Sequence, residues 1–152
     1  KLIAAGSCFA EGEEVIDYGF VERWILGLEE KYGVEVMQVG YDRYNAISTV
    51  QKLEANSMEC VEVKQHSSVL HPPTKLLREA ILKKEFAYDE NRLLEINFQN
   101  ARCTEDTNLN KYVNKKRSAG KVDMVVSTII AVYLMQQAML DNSELDWGIQ
   151  VI

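Results

Sequence analysis

The apolar segment Val34–Tyr41 constrains the fold of this chain most strongly, because apolar residues fall on both of its faces. A strand of that kind is covered by helices on both sides of its sheet. The residues before it predict such a helix, with Asp17 as its N-cap and Gly33 as its C-terminal stop. Apolar residues recur along this helix with the period of an amphipathic helix, at Phe20, Val21, Trp24, Ile25, Leu28 and Tyr32.

The same rhythm of helix and strand continues further along the chain. Residues 45–56 predict a second helix, with Val50 and Leu53 on its apolar face, and residues 58–63 predict a second short strand. Consecutive strands separated by helices are usually parallel and joined by crossovers. The first half of the chain therefore predicts an α/β fold.

The second half of the chain predicts a loop, two helices and a further strand. The loop is His71–Pro73, because adjacent prolines interrupt regular structure. A helix that Thr74 caps follows and extends to about Lys84. Alternating apolar residues predict a strand at residues 94–98, and residues 122–140 predict a long helix with only a narrow polar side.

Length and composition suit one domain spanning residues 1–152. The sequence contains no uninterrupted apolar run of about 18 residues, so it predicts no membrane span. The three cysteines are widely spaced and form no C-x-x-C pair, which indicates buried thiols in a reducing compartment. The first residue is Lys1 rather than Met, which indicates a piece of a longer protein.

The charge of the chain is distributed unevenly. A net charge of −6 argues against a protein whose whole surface binds nucleic acid. One segment is nevertheless basic, since no carboxylate occurs between Asp106 and Asp123. Its cations are Lys111, Lys115, Lys116, Arg117 and Lys121. This segment is either a patch that attracts phosphate or a solvated loop that merely prefers lysine.

Asp42 and Asp123 are the candidates for chemistry, and each also has a purely structural interpretation. Asp42 follows the first predicted strand and could cap the next helix. Asp123 opens the long apolar helix, where a carboxylate gains from the helix dipole. Its apolar neighbours predict that it lies close to the core, and charge placed there usually has a partner or a metal. If the two carboxylates meet, Mg²⁺ is the ion that suits them.

The other residues that could carry chemistry are weaker candidates for a functional site. His66 and His71 have no third zinc ligand at a suitable spacing, so they are interpreted as loop histidines. No phosphate-binding loop of the G-x-x-x-x-G-K-[ST] type occurs, so the chain does not bind ATP by that route. Asp106 is interpreted as a turn residue.

Several short motifs occur together in one order along most of the chain. They are Lys31–Val34 at a helix end, Gly40–Ala46, the segment around Pro72–Thr74, Asn97–Ala101, Asp106–Asn110, Lys115–Lys116 and Gly120–Asp123. With these motifs in this order, the chain resembles the C-terminal nuclease domain of the tailed-bacteriophage terminase large subunit.

That resemblance implies a ribonuclease H-like fold, in which helices flank a mixed sheet. It also implies an endonuclease that hydrolyses double-stranded DNA with two Mg²⁺ or Mn²⁺ ions, in order to cut concatemeric viral DNA. Carried over by position, Asp42 and Asp123 are the second and third of three catalytic, metal-binding acids. The implied DNA-binding residues are Arg43, Lys115, Lys116 and Lys121. The implied partners are DNA, the portal and the small terminase subunit, without a membrane, in the cytoplasm of the bacterial host.

The chain departs from the family pattern at the first acid, which belongs to a central strand. Residues 1–33 offer seven carboxylates, and none of them falls on such a strand. The first strands and the ATPase domain are therefore expected to be absent. A fragment without the acid that bridges both metals is expected to bind them weakly and to cut DNA weakly or not at all.

Two alternatives stay open. The domain could hold DNA or the portal without cutting, through the basic segment and the tail Trp147–Ile152. It could also be a resolvase or transposase of the same fold.

The predicted strand at residues 34–41 also carries a testable consequence. If the first strands are absent, its edge lacks a partner, and an exposed apolar edge invites pairing with another chain. We therefore expect this chain to self-associate at high concentration, as measured by light scattering. A strictly monomeric species throughout the concentration series would contradict this expectation.

Overall fold

The structure is a computed structural model that describes residues 1, 3, 4, 8 and 15–141. The tail Trp147–Ile152 lies outside the described residues. The chain divides into two compact units, residues 9–64 (the N-terminal unit) and residues 1–8 with 65–152 (the C-terminal unit). Each unit is described by itself, and the expectation of one domain across residues 1–152 stays a prediction.

The N-terminal unit contains a pair of parallel strands and three helices. In chain order these are α1 (Tyr18–Leu26), α2 (Leu28–Tyr32), β1 (Val39–Tyr41), α3 (Ile47–Ala55) and β2 (Cys60–Glu62). Val39 pairs with Cys60 and Tyr41 with Glu62, in parallel register. The predicted order of helix, strand, helix and strand is confirmed, and so is the parallel pairing.

The strands are shorter than predicted. Only the last three residues of the apolar segment Val34–Tyr41 form β1, and they pair with the three residues of β2. Residues 34–38 precede it without regular structure. The predicted first helix is likewise divided at Gly27, and Gly33 ends it in a left-handed conformation with φ 66°. Glycine adopts that conformation without strain, as expected of a helix stop.

A buried carboxylate joins α1 to α3 in this unit. Glu22 is 8% exposed, and both of its oxygens accept from Lys52 Nζ, at 3.1 and 2.9 Å. Thr49 Oγ1 donates to the same carboxylate at 3.3 Å. A buried acid needs such partners, because a carboxylate without them is costly to desolvate. Glu22 is therefore a structural residue of the N-terminal unit.

The C-terminal unit contains three helices and a hairpin. In chain order these are α4 (Ser67–Lys83), α5 (Arg92–Asn100), β3 (Cys103–Glu105), β4 (Lys111–Val113) and α6 (Asp123–Asp141). The strands of the hairpin are antiparallel, with Cys103 opposite Val113. Helix α6 packs against α4 and α5, and α4 also packs against β4. The buried apolar residues of this unit are Leu70, Leu77, Val122, Val125, Val126, Ile129, Ile130 and Leu134.

The predicted loop at His71–Pro73 is wrong, because both prolines lie inside α4. Each proline removes one helical hydrogen bond, yet Pro73 is among the most completely buried side chains of the chain. Packing of Leu70, Pro73 and Leu77 therefore offsets the lost hydrogen bonds. Thr74 is also not a cap, since it is buried in the middle of the helix and its hydroxyl has no hydrogen-bond partner among the described residues.

The predicted strand at residues 94–98 is wrong as well, because these residues belong to α5. Asn91 caps this helix, and its Oδ1 accepts from the backbone N–H groups of Leu93 and Leu94, both at 3.1 Å. Leu94 and Phe98 are four residues apart and so share one face of a helix. The spacing of Leu94 and Phe98, which was interpreted as the alternation of a strand, therefore also fits one face of a helix.

The interpretation of both histidines as loop residues holds for His66, which precedes α4, and is wrong for His71. His66 caps α4 and accepts from the backbone N–H of Ser68 at 3.3 Å. His71 lies within α4, and its Nδ1 accepts from the backbone N–H of Lys111 at 2.8 Å. His71 therefore bonds α4 to the first residue of β4.

Helix α6 is by length and composition able to cross a membrane, with a mean hydropathy of 1.4 over its most apolar window. The core helix of a globular domain passes the same test. Five residues of α6 are buried within this structure: Val125, Val126, Ile129, Ile130 and Leu134.

Asp106 ties the hairpin to α4, in addition to its predicted role in the turn. Its carboxylate accepts from Asn108 N at 2.8 Å, from Asn110 N and Nδ2 at 2.9 Å, and from the hydroxyl of Ser67 at the start of α4. The hydrogen bond from Ser67, followed by those from Asn110, lowers the pKa of Asp106 well below its usual value. The hydrogen bonds thus stabilise the ionised form.

We expect Asp106→Asn to lower the free energy of unfolding at pH 7. A carboxyl whose pKa is lowered in the folded state stabilises the fold fully at pH values above its unfolded-state pKa of about 3.9. This contribution is lost as the pH falls from there through the folded-state pKa. The difference between wild type and variant should therefore shrink below about pH 4. Urea unfolding between pH 7 and pH 3 measures it. The exposed Asp89, changed to Asn, is the matched control for the loss of one surface carboxylate.

Candidate functional site

Asp42 lies directly after β1, at the carboxyl end of a parallel strand. It is exposed, and its Oδ1 accepts from the backbone N–H of Tyr44 at 3.4 Å. It does not cap the next helix, because Ala46 occupies the N-cap position of α3 without any side-chain bond. Ligands of parallel α/β proteins commonly bind beyond the carboxyl ends of the strands. Asp42 is therefore placed where a ligand can reach it.

Asp123 is the first residue of α6, and its side chain is 64% exposed. The expectation that it lies close to the core is wrong. Val122 and Val125 face the core, being 2% exposed each, whereas Asp123 points to the outer side of the same turn. The expectation of a charge partner is confirmed, since Lys115 Nζ lies 3.2 Å from Asp123 Oδ1.

A buried amide from α5 holds the first turn of α6. Asn97 is 3% exposed, and its Oδ1 accepts from the backbone N–H of Met124 at 3.2 Å. Its Nδ2 donates to the carbonyl of Leu93 at 2.9 Å, within its own helix. The first N–H groups of a helix have no intrahelical acceptor, so Asn97 supplies one from a neighbouring helix.

Asn100 makes a second connection just before α6. Its side-chain Nδ2 donates to the backbone carbonyl of Lys121 at 3.1 Å. Its backbone carbonyl accepts from the backbone N–H of Ala119 at 3.0 Å. A Cβ atom at Gly120 would lie 2.7 Å from Asn100 Nδ2, so any larger residue would push this amide aside. The motifs Asn97–Ala101 and Gly120–Asp123 are therefore bonded to each other.

Sequence reasoning did not single out Asn97 or Asn100 as residues that position Asp123. In the predicted strand at residues 94–98, Asn97 would lie in the strand and Asn100 after it. The sequence therefore did not predict that both residues belong to one helix. The available signal was Asn91 followed by a helical apolar face, Leu94 and Phe98, which predicts a helix start.

The basic segment separates into paired and unpaired cations. Lys111 pairs with Glu105 at 2.8 Å, and Lys115 pairs with Asp123. The other three cations are exposed and form no ion pair with a carboxylate in the part of the chain that the structure describes: Lys116, Arg117 and Lys121. Arg43 is also exposed, but it belongs to the N-terminal unit.

Asn114 shapes the loop that carries these cations. Its Oδ1 accepts from the backbone N–H groups of Lys116 and Arg117, at 3.0 and 3.3 Å. Its carbonyl accepts from the hydroxyl of Ser118 at 2.8 Å. A turn held by side-chain bonds of this kind keeps its backbone in one conformation. The basic loop 114–121 thus joins β4 to α6. Its cations come shortly before Asp123 in the sequence, and they belong to the same unit.

The donor atoms of the two aspartates suit a hydrated magnesium or manganese ion. Both side chains are exposed carboxylates, and Mg²⁺ takes carboxylate oxygens while keeping several waters. Within residues 15–141 and the few described before them, no group of three or more histidine, cysteine, aspartate or glutamate side chains could hold a metal together. Asp42 and Asp123 belong to different units, so each is assessed as a single ligand.

We expect Gly120→Ala to lower the free energy of unfolding by about 1 kcal/mol, because the new methyl group displaces the hydrogen bond from Asn100 to Lys121. Urea unfolding of both proteins measures the difference. Gly19→Ala within α1 is the control, since alanine is favoured in a helix and only flexible side-chain ends lie nearby. An unchanged stability for Gly120→Ala would contradict the steric argument.

Comparison with known proteins completes the description of the site. The family model for the terminase large subunit, endonuclease domain, matches residues 6–139. A search of curated proteins yields no match. The crystal structure of the HK97 bacteriophage large terminase matches with a TM-score of 0.76 and 19% identity, over 87% of this chain and 28% of that one. This likeness confirms the predicted ribonuclease H-like fold, in a chain that spans just over a quarter of that protein. The chain belongs to the family of terminase large-subunit endonuclease domains.

Proposed function

We propose that this chain is the endonuclease part of a DNA-packaging terminase that hydrolyses phosphodiesters of double-stranded DNA with divalent metal ions. The observation that carries the proposal is the exposed carboxylate of Asp123 at the anchored start of α6. The loop before this helix carries three cations that form no ion pair among the described residues. A metal ligand and a phosphate-attracting surface thus occur in one unit. The family match supports this assignment over a resolvase or transposase of the same fold.

In this proposal Asp42 and Asp123 each supply a carboxylate to Mg²⁺ or Mn²⁺. Two such ions, when bound, activate a water and stabilise the leaving oxygen of the phosphodiester. The exposure of both side chains lets hydrated ions reach them without a change in the core. The first acid of the family pattern has no assigned counterpart here, so we propose that this chain alone binds the ions weakly.

The DNA contacts in this proposal come from Arg43, Lys115, Lys116 and Lys121, and the structure adds Arg117 as a candidate on the same loop. Contacts of lysine and arginine with phosphate carry no sequence information, and they weaken as salt is added. Lys115 differs from the others, because its ammonium group neutralises Asp123. Its contact with DNA requires that ion pair to open.

The wider role concerns the whole protein. We propose that it acts in the cytoplasm of a bacterial host, cuts concatemeric viral DNA, and engages the portal and the small terminase subunit. The chain covers 28% of the HK97 large terminase, so these wider roles are proposed for the whole protein and not for this chain alone.

A second candidate is a DNA-holding module that does not cut. It is favoured by the finding that no three potential metal ligands come together among the residues that the structure describes. The basic loop 114–121 would then bind DNA without supporting hydrolysis.

A plasmid-nicking assay with the full-length gene product and Mn²⁺ distinguishes the two candidates. We expect wild type to cut, and Asp42→Ala or Asp123→Ala to abolish cutting, because each removes a metal ligand. DNA affinity, measured by fluorescence anisotropy, should change little in either variant. Cutting by both variants would show that these acids are assigned wrongly.

The same protein allows the basic loop to be tested separately. The triple change Lys116→Gln, Arg117→Gln and Lys121→Gln should weaken DNA binding for all sequences and lower its salt dependence. The matched control changes three exposed cations of α2 and the end of α4, namely Lys31, Lys83 and Lys84, to Gln. Equal losses in both triple variants would show that net charge, and not the loop, governs binding.

A further inference from the structure

We propose that Asn97 is a positioning residue that sets the placement of the Asp123 carboxylate, with Asn100 as its second anchor. This inference rests on the proposed function, because it assigns a role toward the metal that Asp123 is proposed to bind. Asn97 itself touches neither metal nor DNA in this account. It acts through the backbone of the first turn of α6.

The orientation of the Asn97 amide is determined by its own hydrogen bonds. Its Nδ2 group donates to the carbonyl of Leu93, so its Oδ1 has to be the atom that faces Met124. At 3% exposure no water competes strongly for either bond. The amide therefore connects a carbonyl of α5 to an N–H of α6 in one fixed arrangement, and breaking it would leave buried polar groups unsatisfied.

Asn100 fixes the approach to the same turn. Its two hydrogen bonds reach Ala119 and Lys121, one on each side of Gly120. The close packing of Gly120 against the Asn100 side chain leaves little freedom for that segment. The backbone is thus held by α5 at Ala119, Lys121 and Met124, on both sides of Asp123.

The Asp123 side chain has no comparable support of its own. It is 64% exposed, and among the described residues its carboxylate pairs at the surface with Lys115, which is also more than half exposed. Exposed ion pairs of this kind hold side chains only weakly. Metal ligands, by contrast, need placement within about 0.5 Å of the productive geometry. The backbone anchors from α5 are therefore what keeps this carboxylate in place.

The experiment measures Mn²⁺ binding by electron paramagnetic resonance in the full-length gene product, without DNA. Asn97→Leu keeps the size of the side chain but loses both hydrogen bonds, and we expect it to weaken Mn²⁺ binding by roughly ten- to a hundredfold. Asn97→Asp keeps an oxygen that accepts from Met124 but loses the donor to Leu93, so it should recover only part of the affinity. Asn100→Ala, at a less buried position that tolerates change, should weaken binding by a smaller factor.

Hydrogen exchange supplies an independent readout of the mechanism. The amide of Met124 should exchange faster in Asn97→Leu than in wild type, because its acceptor has been removed. Ile129→Val, in the core of the same helix, is the matched control. It should leave both the Mn²⁺ affinity and the Met124 exchange rate unchanged.

The outcomes separate this inference from the proposed function. If Asp123→Ala leaves Mn²⁺ binding unchanged, Asp123 is not a ligand and both proposals fail. If Asp123→Ala abolishes binding while Asn97→Leu and Asn100→Ala bind like wild type, only the positioning role is overturned. Equal losses in Asn97→Leu and Ile129→Val would also overturn it, because general loosening of α6 would then explain the effect.

Discussion

The C-terminal unit depends on one buried hydrogen-bonded connection, the amide of Asn97 between α5 and α6. Helix α6 supplies most of the buried apolar residues of this unit, so the place where it begins determines which of its faces meets α4 and α5. Apolar packing alone specifies that place poorly, because a nearly all-apolar helix can rotate or slide at small cost. An amide that is hydrogen-bonded at both ends favours one arrangement, in which Asp123 faces outward.

The hairpin of β3 and β4 is attached to α4 by polar groups rather than by an extensive core. Asp106 accepts from Ser67, and His71 accepts from Lys111, so both ends of the turn are bonded to the same helix. The loop 114–121 continues directly from β4. The basic surface therefore belongs to a rigid frame that begins in α4 and ends in the first turn of α6.

The sequence predicted the N-terminal unit well because its signals are local. The alternation of helix and strand implied parallel pairing, and Gly33 ends a helix as expected. The second half was predicted less well, because tertiary contacts decide its structure. Pro72 and Pro73 lie within a helix since burial of Pro73 offsets the lost bonds, and residues 94–98 are helical since Asn91 starts a helix before them.

The roles of Asp42 and Asp123 as metal ligands stay a prediction from the sequence, whereas the surroundings of both residues could not be predicted from it. Asp42 and Asp123 were identified from short motifs, which only the family match makes specific. That Asp123 faces outward depends on how α6 rotates against two other helices, and the narrow polar side of α6 specifies that rotation only poorly. The pairing of Lys115 with Asp123 depends in turn on the course of the loop between them.

The contact between Gly120 and Asn100 has a consequence for how such chains diverge. The amide of Asn100 occupies the space that a side chain at position 120 would need, so a larger residue there displaces that amide. Because the same amide holds Lys121, such a change would also remove an anchor of the helix start. Evolutionary change at position 120 is thereby linked to the residue at position 100, in the segment that leads into Asp123.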